Sequence, residues 1–327
     1  MILKTLNNRI LKLNLFQKLF NHTLGKFGLL VMAFWTLAAI FAYSISIDKT
    51  PSANRMQLEY SALPLMTKLP LKKVKSAQPS GASWVLFGDK NYPKWVHSND
   101  NKMTFVLGTD RYGRDLLSRL LLGARVSLSV GVISVLIALF IGIPIGSIAG
   151  YYGGWIDKVV QTIIQIFWSI PTFLMVIAIS FVLGKGFWQV FVAVGLTAWV
   201  EIARLVRGQV MSVKKEEFVQ AGQVLGFSSL RIIVRHILPQ VYPAIIVLAA
   251  SQFASAILLE SGLSFLGIGA QPPTPTWGSM IRDHYSYLLT GQAHLALIPG
   301  IAIASLVLAF MSIGTALRDV LDVRTLD

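Results

Sequence analysis

Residues 126–149 contain no charged side chain. The hydrocarbon core of a bilayer is about 30 Å thick and takes roughly 20 apolar residues as α-helix, so this run can span it. Charge-poor runs of comparable length recur at residues 28–47, 160–183, 187–206, 240–262 and 293–316. A chain that is 54% hydrophobic and only 13% charged belongs to the membrane class. A backbone in lipid must satisfy its own hydrogen bonds, and no alternating pattern marks a strand. The expected fold is therefore all-α, a polytopic integral membrane protein with six transmembrane helices.

The net charge of +14 would suit a nucleic-acid binder, but its distribution fits membrane orientation better. Lys4, Arg9, Lys12, Lys18 and Lys26 precede the first run without an acid, which assigns the N-terminus to the cytoplasm. Alternation from there puts Lys158, the basic residues of 204–235, Arg318 and Arg324 inside. Only Lys185 and Arg282 fall in short outer loops, and the C-terminus is cytoplasmic. The long segment between the first two runs mixes bases with Asp48, Glu59, Asp89, Asp100, Asp110 and Asp115, and loops of that length escape the inside bias. The lipid bilayer is the expected partner and nucleic acid is not. The first run exceeds the roughly 7–15 apolar residues of a signal peptide, so it reads as an uncleaved span. There is no cysteine, which excludes disulfides and thiolate chemistry.

Three regions follow: residues 1–47, a cytoplasmic N-terminus and first span; 48–107, an extracytoplasmic insertion expected to pack as a cap on the outer face; and 108–327, the transmembrane domain with five helices. Leu116, Leu117, Leu120 and Leu121 set against Arg111, Arg114, Arg119 and Arg125 predict an amphipathic helix at the interface, with Asp115 paired to Arg119. Gly142, Gly146 and Gly150 form a small-residue stripe for helix packing, within the chain or against a partner. Pro171 is expected to kink the third span and is a candidate for lining the pathway. Glu260, near the outer end of the fifth span and without a base in helical pairing distance, is the stronger pathway candidate. Glu201 is read as near the inner end of its span, with Arg204 beside it, both reaching the interface. Residues 262–292, rich in glycine and proline, read as an outer re-entrant or surface loop anchored by Trp277 and Tyr285.

No catalytic or metal constellation stands out. His22, His97, His236, His284 and His294 lack ligand spacing, and no nucleophile elbow, carboxylate pair or phosphate loop is present. The chain is not expected to be an enzyme or to bind a cofactor. If ATP drives it, another chain must hold the nucleotide.

The polar stretch "EEFVQAGQVLGFSSLRIIVRHILPQ" interrupts the apolar sequence at residues 216–240. Glu216 and Glu217 suit the first turn of a helix, and Gly226 is placed to end it. Ala221 and Gly222 are expected to leave one face bare. Ser228 or Ser229 can cap a second helix, with Arg231 and Arg235 toward headgroups and Pro239 restarting the chain. The whole loop, about 207–239, reads as a rigid helix–glycine–helix arm that another protein's groove could hold.

That arm resembles the cytoplasmic "EAA" loop of ATP-binding-cassette importer permeases. Gln220, Ala221 and Gly222 stand at its E-A-A places, and Gly226 and Pro239 at its fixed glycine and proline. The strings "LGTDRYGRDLLSRLLLGARVSL", "AGYYGGWID", "ARLVRGQVMSVKKEEFV", "RHILP", "ESGLSFLGIG", "PTWGSMI" and "LRDVLDVR" are similar to the second permease subunit of dipeptide, oligopeptide and nickel importers. The resemblance spans about residues 104–324 and implies a type I importer transmembrane domain in a bacterial inner membrane. It also implies a homologous second permease, two cytoplasmic ATPases carrying ATP and Mg, and an extracytoplasmic solute-binding protein. Glu217, Gln220, Ala221, Gly222, Gly226, His236 and Pro239 would then form the ATPase-coupling element. Peptide is the expected cargo, nickel or another small solute the alternative. A secondary transporter is the rival of another class, and a non-transport assembly protein leaves the arm unexplained.

Overall fold

The computed structural model describes residues 17–73, 87–89, 95–97, 102–184 and 188–321. Lys4, Arg9, Lys12, Asp100, Lys185 and Arg324, and the orientation expectations attached to them, lie outside the described residues. Helix dominates. In chain order the helices of eight residues or more are α1 (Thr23–Ile40), α2 (Leu116–Tyr152), α3 (Gly154–Ser169), α4 (Thr172–Val182), α5 (Gln189–Val213), α6 (Glu217–Val224), α7 (Ser229–Phe265), α8 (Trp277–His284) and α9 (His294–Leu321). Five of them, α1, α2, α5, α7 and α9, are each long and apolar enough to cross a bilayer, and the pair α3–α4 makes a sixth if counted as one broken span.

That broken span departs from the expected kink in an otherwise continuous helix. α3 and α4 meet at 94°. Pro171 lacks an N–H and forces Ile170 out of the helical region, to φ −105°, ψ 128°, so the helix stops and restarts.

The helical fold class holds, and the insertion adds short strands that the sequence did not signal. Four three-residue strands, β1 (Thr67–Leu69), β2 (Leu71–Lys73), β3 (Trp95–His97) and β4 (Met103–Phe105), form two antiparallel pairs, β1 with β4 and β2 with β3. Strands this short carry too few residues for a visible alternation. Leu69, Leu71 and Phe105 close a small core of their own against Ile47, Tyr60 and Leu63.

The stretch before α2 is no interfacial helix. Residues 107–115 turn sharply, Asp115 caps α2 by accepting from the Ser118 N–H at 2.9 Å, and the helix runs unbroken from Leu116. Gly113 (φ +71°) lies so close to the insertion that a Cβ there would sit 1.8 Å from the Gln57 carbonyl oxygen. Arg114 and Arg119 are buried alongside Leu116, Leu120 and Leu121, so the expected polar and apolar faces do not exist. Asp110 is the reason. Its carboxylate accepts from Arg114 Nε at 2.5 Å and lies 3.7 Å from Arg119 Nε, replacing the expected Asp115–Arg119 pair. Arg114 also donates to Asn54 of the insertion at 2.8 Å and lies 3.9 Å from Asp283 of α8. One turn thus ties insertion, α2 and α8 together.

Trp277, expected at the interface, is fully buried instead. Its indole N–H donates to the Leu120 carbonyl at 2.9 Å, its ring meets Trp35 edge-on at 4.9 Å, and it occupies the space left by Gly123. Tyr285 does remain exposed.

Helices α2 and α5 make the most extensive pairing in the bundle. The stripe of Gly142, Gly146 and Gly150 lies along it. A Cβ on Gly146 would come within 2.3 Å of the Ala203 oxygen, and one on Gly142 or Gly150 within 2.7 Å of the Trp199 or Arg207 oxygen. The stripe is therefore spent inside the chain, on backbone-to-backbone packing.

Candidate functional site

Two regions stand out: the arm at one end of α5 and a cavity among α3, α4, α5 and α7.

The arm grows directly from α5. Arg207 forks onto Asp157 of α3, with Nη2 to Oδ2 at 2.7 Å, and Lys214 donates to the Tyr151 carbonyl at 2.6 Å, so the stem is held from two sides. Glu216 occupies the N-cap of α6, and exposed Glu217 sits in its first turn. Gln220 donates back to the Lys215 carbonyl at 2.9 Å. The end of α6 is a Schellman motif: Gly226 has φ +73°, its N–H bonds to Gln223 O at 3.0 Å, and the Phe227 N–H bonds to Gly222 O at 3.1 Å.

Phe227 then folds back as the hub of the arm. A Cβ on Gly222 would touch its ring at 3.4 Å, Arg231 stacks over it at 4.0 Å and the His236 ring lies 5.7 Å away. Two expectations change as a result. Gly222 is buried under Phe227 and is not part of a bare outer face, because the position three residues inside the capping turn must admit that ring. The outward face is apolar, made by exposed Ala221 with Val224 at 89%, Leu225 at 70% and Leu230 at 73% exposure. Phe227 was legible as the residue after a capping glycine, a place that commonly packs back.

The second arm helix is not separate either. It passes through a π turn at Ile233–Ile237 into the spanning part of α7. Pro239 is exposed at the start of that part, where a missing N–H and a bulky ring are accommodated by the wider turn before it.

The cavity has a volume of about 310 Å³ and lies among α3, α4, α5 and α7. Phe167, Trp168, Thr197, Glu201, Gln252 and Ser255 are among the residues that line it. Glu201 is the middle residue of the helix Gln189–Val213, which continues past the apolar run read from the sequence into the stem of the arm. Gln252 stands half-way along Leu238–Phe265 and donates its amide N–H to the Glu201 carboxylate. Arg204 does not pair with Glu201 and lies over the Trp168 ring at 4.1 Å. Pro171 sets the break whose flanking residues, Trp168 and Thr172, line the cavity, though Pro171 itself does not.

Glu260 is elsewhere. It is 1% exposed, accepts from Ser264 Oγ at 2.6 Å, and has the Ser261 and Thr276 hydroxyls beside it. Thr276 is the N-cap of α8, so Glu260 links α7 to α8 within a closed polar cluster.

Broken and continuous apolar helices around a mid-span cavity, with a rigid arm at one end, define a polytopic membrane permease. Residues 142–327 match the family described as binding-protein-dependent transport system inner membrane component. The chain belongs to that family, and it is a permease subunit of an ATP-binding-cassette importer. It is 36% identical over 310 residues, 94% of its own length and 88% of the relative's, to the dipeptide transport system permease protein DppC of Alkalihalophilus pseudofirmus. It is 39% identical over 216 residues, 66% of its length and 71% of the relative's, to the glutathione transport system permease protein GsiD of Pectobacterium atrosepticum. A solved structure of the MetNI methionine ABC transporter in an inward facing conformation aligns with a TM-score of 0.51 at 20% identity, covering 62% of this chain and 96% of that one. The likeness extends to the fold, that of a type I importer transmembrane domain.

Proposed function

We propose that the chain imports peptides as one half of a translocation pathway, paired with a homologous permease and served by an extracytoplasmic binding protein. Two ATPases, which carry ATP and Mg, dock on the arm from the cytoplasm. Both termini are then cytoplasmic, and the insertion and α8 face outward toward the binding protein. The observation that carries this reading is the arm itself. A Schellman-capped helix held by Arg207–Asp157 and Lys214–Tyr151 presents exposed apolar side chains on its outer face while its flanking elements run on into two spans. Force applied at Ala221, Val224 and Leu225 passes to α5 through the stem and to α7 through the π turn. The dipeptide and glutathione names of the similar permeases support the peptide class.

The chain has no cysteine, so one placed at exposed Ala221 is a unique reporter. Cross-linking in native membranes followed by mass spectrometry should capture an ATPase subunit. A reactive, accessible cysteine that never captures one would overturn the docking assignment and favour a secondary transporter.

A further inference from the structure

Glu201 lies at the middle of helix α5, within a helix apolar enough to cross a bilayer, where a carboxylate is unfavourable unless it serves a polar path. Among the described residues it makes no ion pair, and Arg204, one turn away, is engaged over Trp168. Its carboxylate is open to the cavity. One oxygen accepts from Gln252, which is buried at mid-span in the neighbouring helix, and the other accepts no hydrogen bond among the described residues. Thr197 and Ser255 add hydroxyls to the same wall. Thr197 donates its own hydrogen to the Val194 carbonyl at 2.9 Å, which leaves its oxygen lone pairs for a donor. Apart from Thr172 the rest is apolar or aromatic, including Phe167, Met175 and Leu259. A volume of about 310 Å³ falls at the lower end of small-molecule sites, which run from about 300 to 1,000 Å³.

We propose that Glu201, held by Gln252, is a cation-recognising group on the pathway wall that receives the α-ammonium group of a peptide in transit. The inference rests on the peptide reading above and adds to it a specificity-determining residue in this subunit. An ammonium group brings three N–H donors and no acceptor, and this wall offers a free carboxylate oxygen and hydroxyl acceptors with one amide to fix the carboxylate. The apolar remainder makes no demand on the side chains that follow, as an importer of varied peptides requires. Gln252 is a positioning residue: its amide points at the carboxylate and sets its rotamer.

The test uses the assembled importer, purified with its ATPases and binding protein and reconstituted in proteoliposomes, with alanyl-alanine, alanyl-lysine and alanyl-glutamate as probes. Glu201→Gln should lower alanyl-alanine uptake about tenfold while the ATPases still co-purify, the size expected for losing one charge-assisted hydrogen bond. Gln252→Ala should lower it by less. Glu201→Lys should lower uptake of all three peptides by at least about tenfold, since each carries the α-ammonium group, while Glu201→Asp, which keeps the carboxylate, should restore most of it, a rescue that a merely structural role would not produce. An assembled Glu201→Lys importer with parental uptake of alanyl-alanine overturns the proposal. If that variant does not assemble, unchanged alanyl-alanine uptake by Glu201→Gln overturns it equally. Should the parental importer take up none of the three peptides, the peptide reading itself falls before any variant is compared.

Discussion

Arg114 Nε donates to the Asp110 carboxylate at 2.5 Å with both side chains almost wholly out of contact with solvent. The pair is the centre of a corner that also holds Arg119, Asn54 and Asp283, and so joins the insertion to α2 and α8. His284 completes it from α8. Its Nδ1–H donates to the Met280 carbonyl at 2.7 Å, and its Nε2 accepts from the Arg111 N–H at 3.3 Å. With both nitrogens used in the neutral form, burial holds the imidazole pKa below its usual value.

Removing Arg114 from this corner leaves the buried Asp110 carboxylate with Arg119, 3.7 Å away, as its nearest base. Arg114→Ala should destabilise the subunit by about 3–5 kcal/mol. Thermal unfolding of the detergent-purified complex would read the loss. An unchanged melting temperature would mean that the pair contributes little.

Asp115 gives a prediction with a pH signature. Burial pushes its carboxyl up to about 6, against the hydrogen bonds from Ser118, with nearby Asp48 adding to the rise. Between its ordinary value of 3.8 and about 6 the folded protein holds a proton that the unfolded chain does not, so this group's contribution falls as pH rises through that window. Asp115→Asn keeps a capping side chain and removes the charge. It should match or exceed the parent in stability at pH 8, by at most about 3 kcal/mol. The advantage should shrink as pH drops below 6. Melting curves at pH 8 and pH 5 would reveal it, and a pH-independent difference would refute it.

Helix α2 comes closest to α5 at Gly142, Gly146 and Gly150, where side chains are missing. Gly146→Val should therefore separate the two helices and prevent stable insertion. Gly146→Ala should cost about 1–3 kcal/mol, the scale of overpacking in a close-packed interior. Gly208→Ala is the control, since a Cβ there meets nothing within 4 Å. Membrane yield and melting temperature of the three variants should rank Gly208→Ala above Gly146→Ala above Gly146→Val.

On the arm, Phe227→Ala should uncouple without unfolding. Removing the ring frees Gly222, Arg231 and His236 from one another while leaving the spans intact. Uptake should fall at least about tenfold for a change of more than about 1.4 kcal/mol in arm rigidity. Membrane insertion should stay normal. Full uptake with Phe227→Ala would show that the arm transmits force without its hub.

The spans, the arm and its capping glycine were legible in the sequence because each is written locally, in runs of charge-free residues and in residue types at fixed offsets. The Gly142–Gly146–Gly150 stripe was equally visible, but not whether a partner or α5 used it. What the sequence could not reveal are relations between residues far apart along the chain. Arg114 and Arg119 read as headgroup anchors until Asp110 and Asp283 are brought beside them, and Trp277 read as an interfacial residue until Gly123 opens room for it. Glu201 read as a span-end charge because the apolar run stops before the helix does. A carboxylate's neighbours, not its own spacing, decide whether it reaches water, a partner base or a cavity. For Glu201 and Gln252, residues from two spans that meet half-way along their lengths, only the packing of α5 against α7 made that decision.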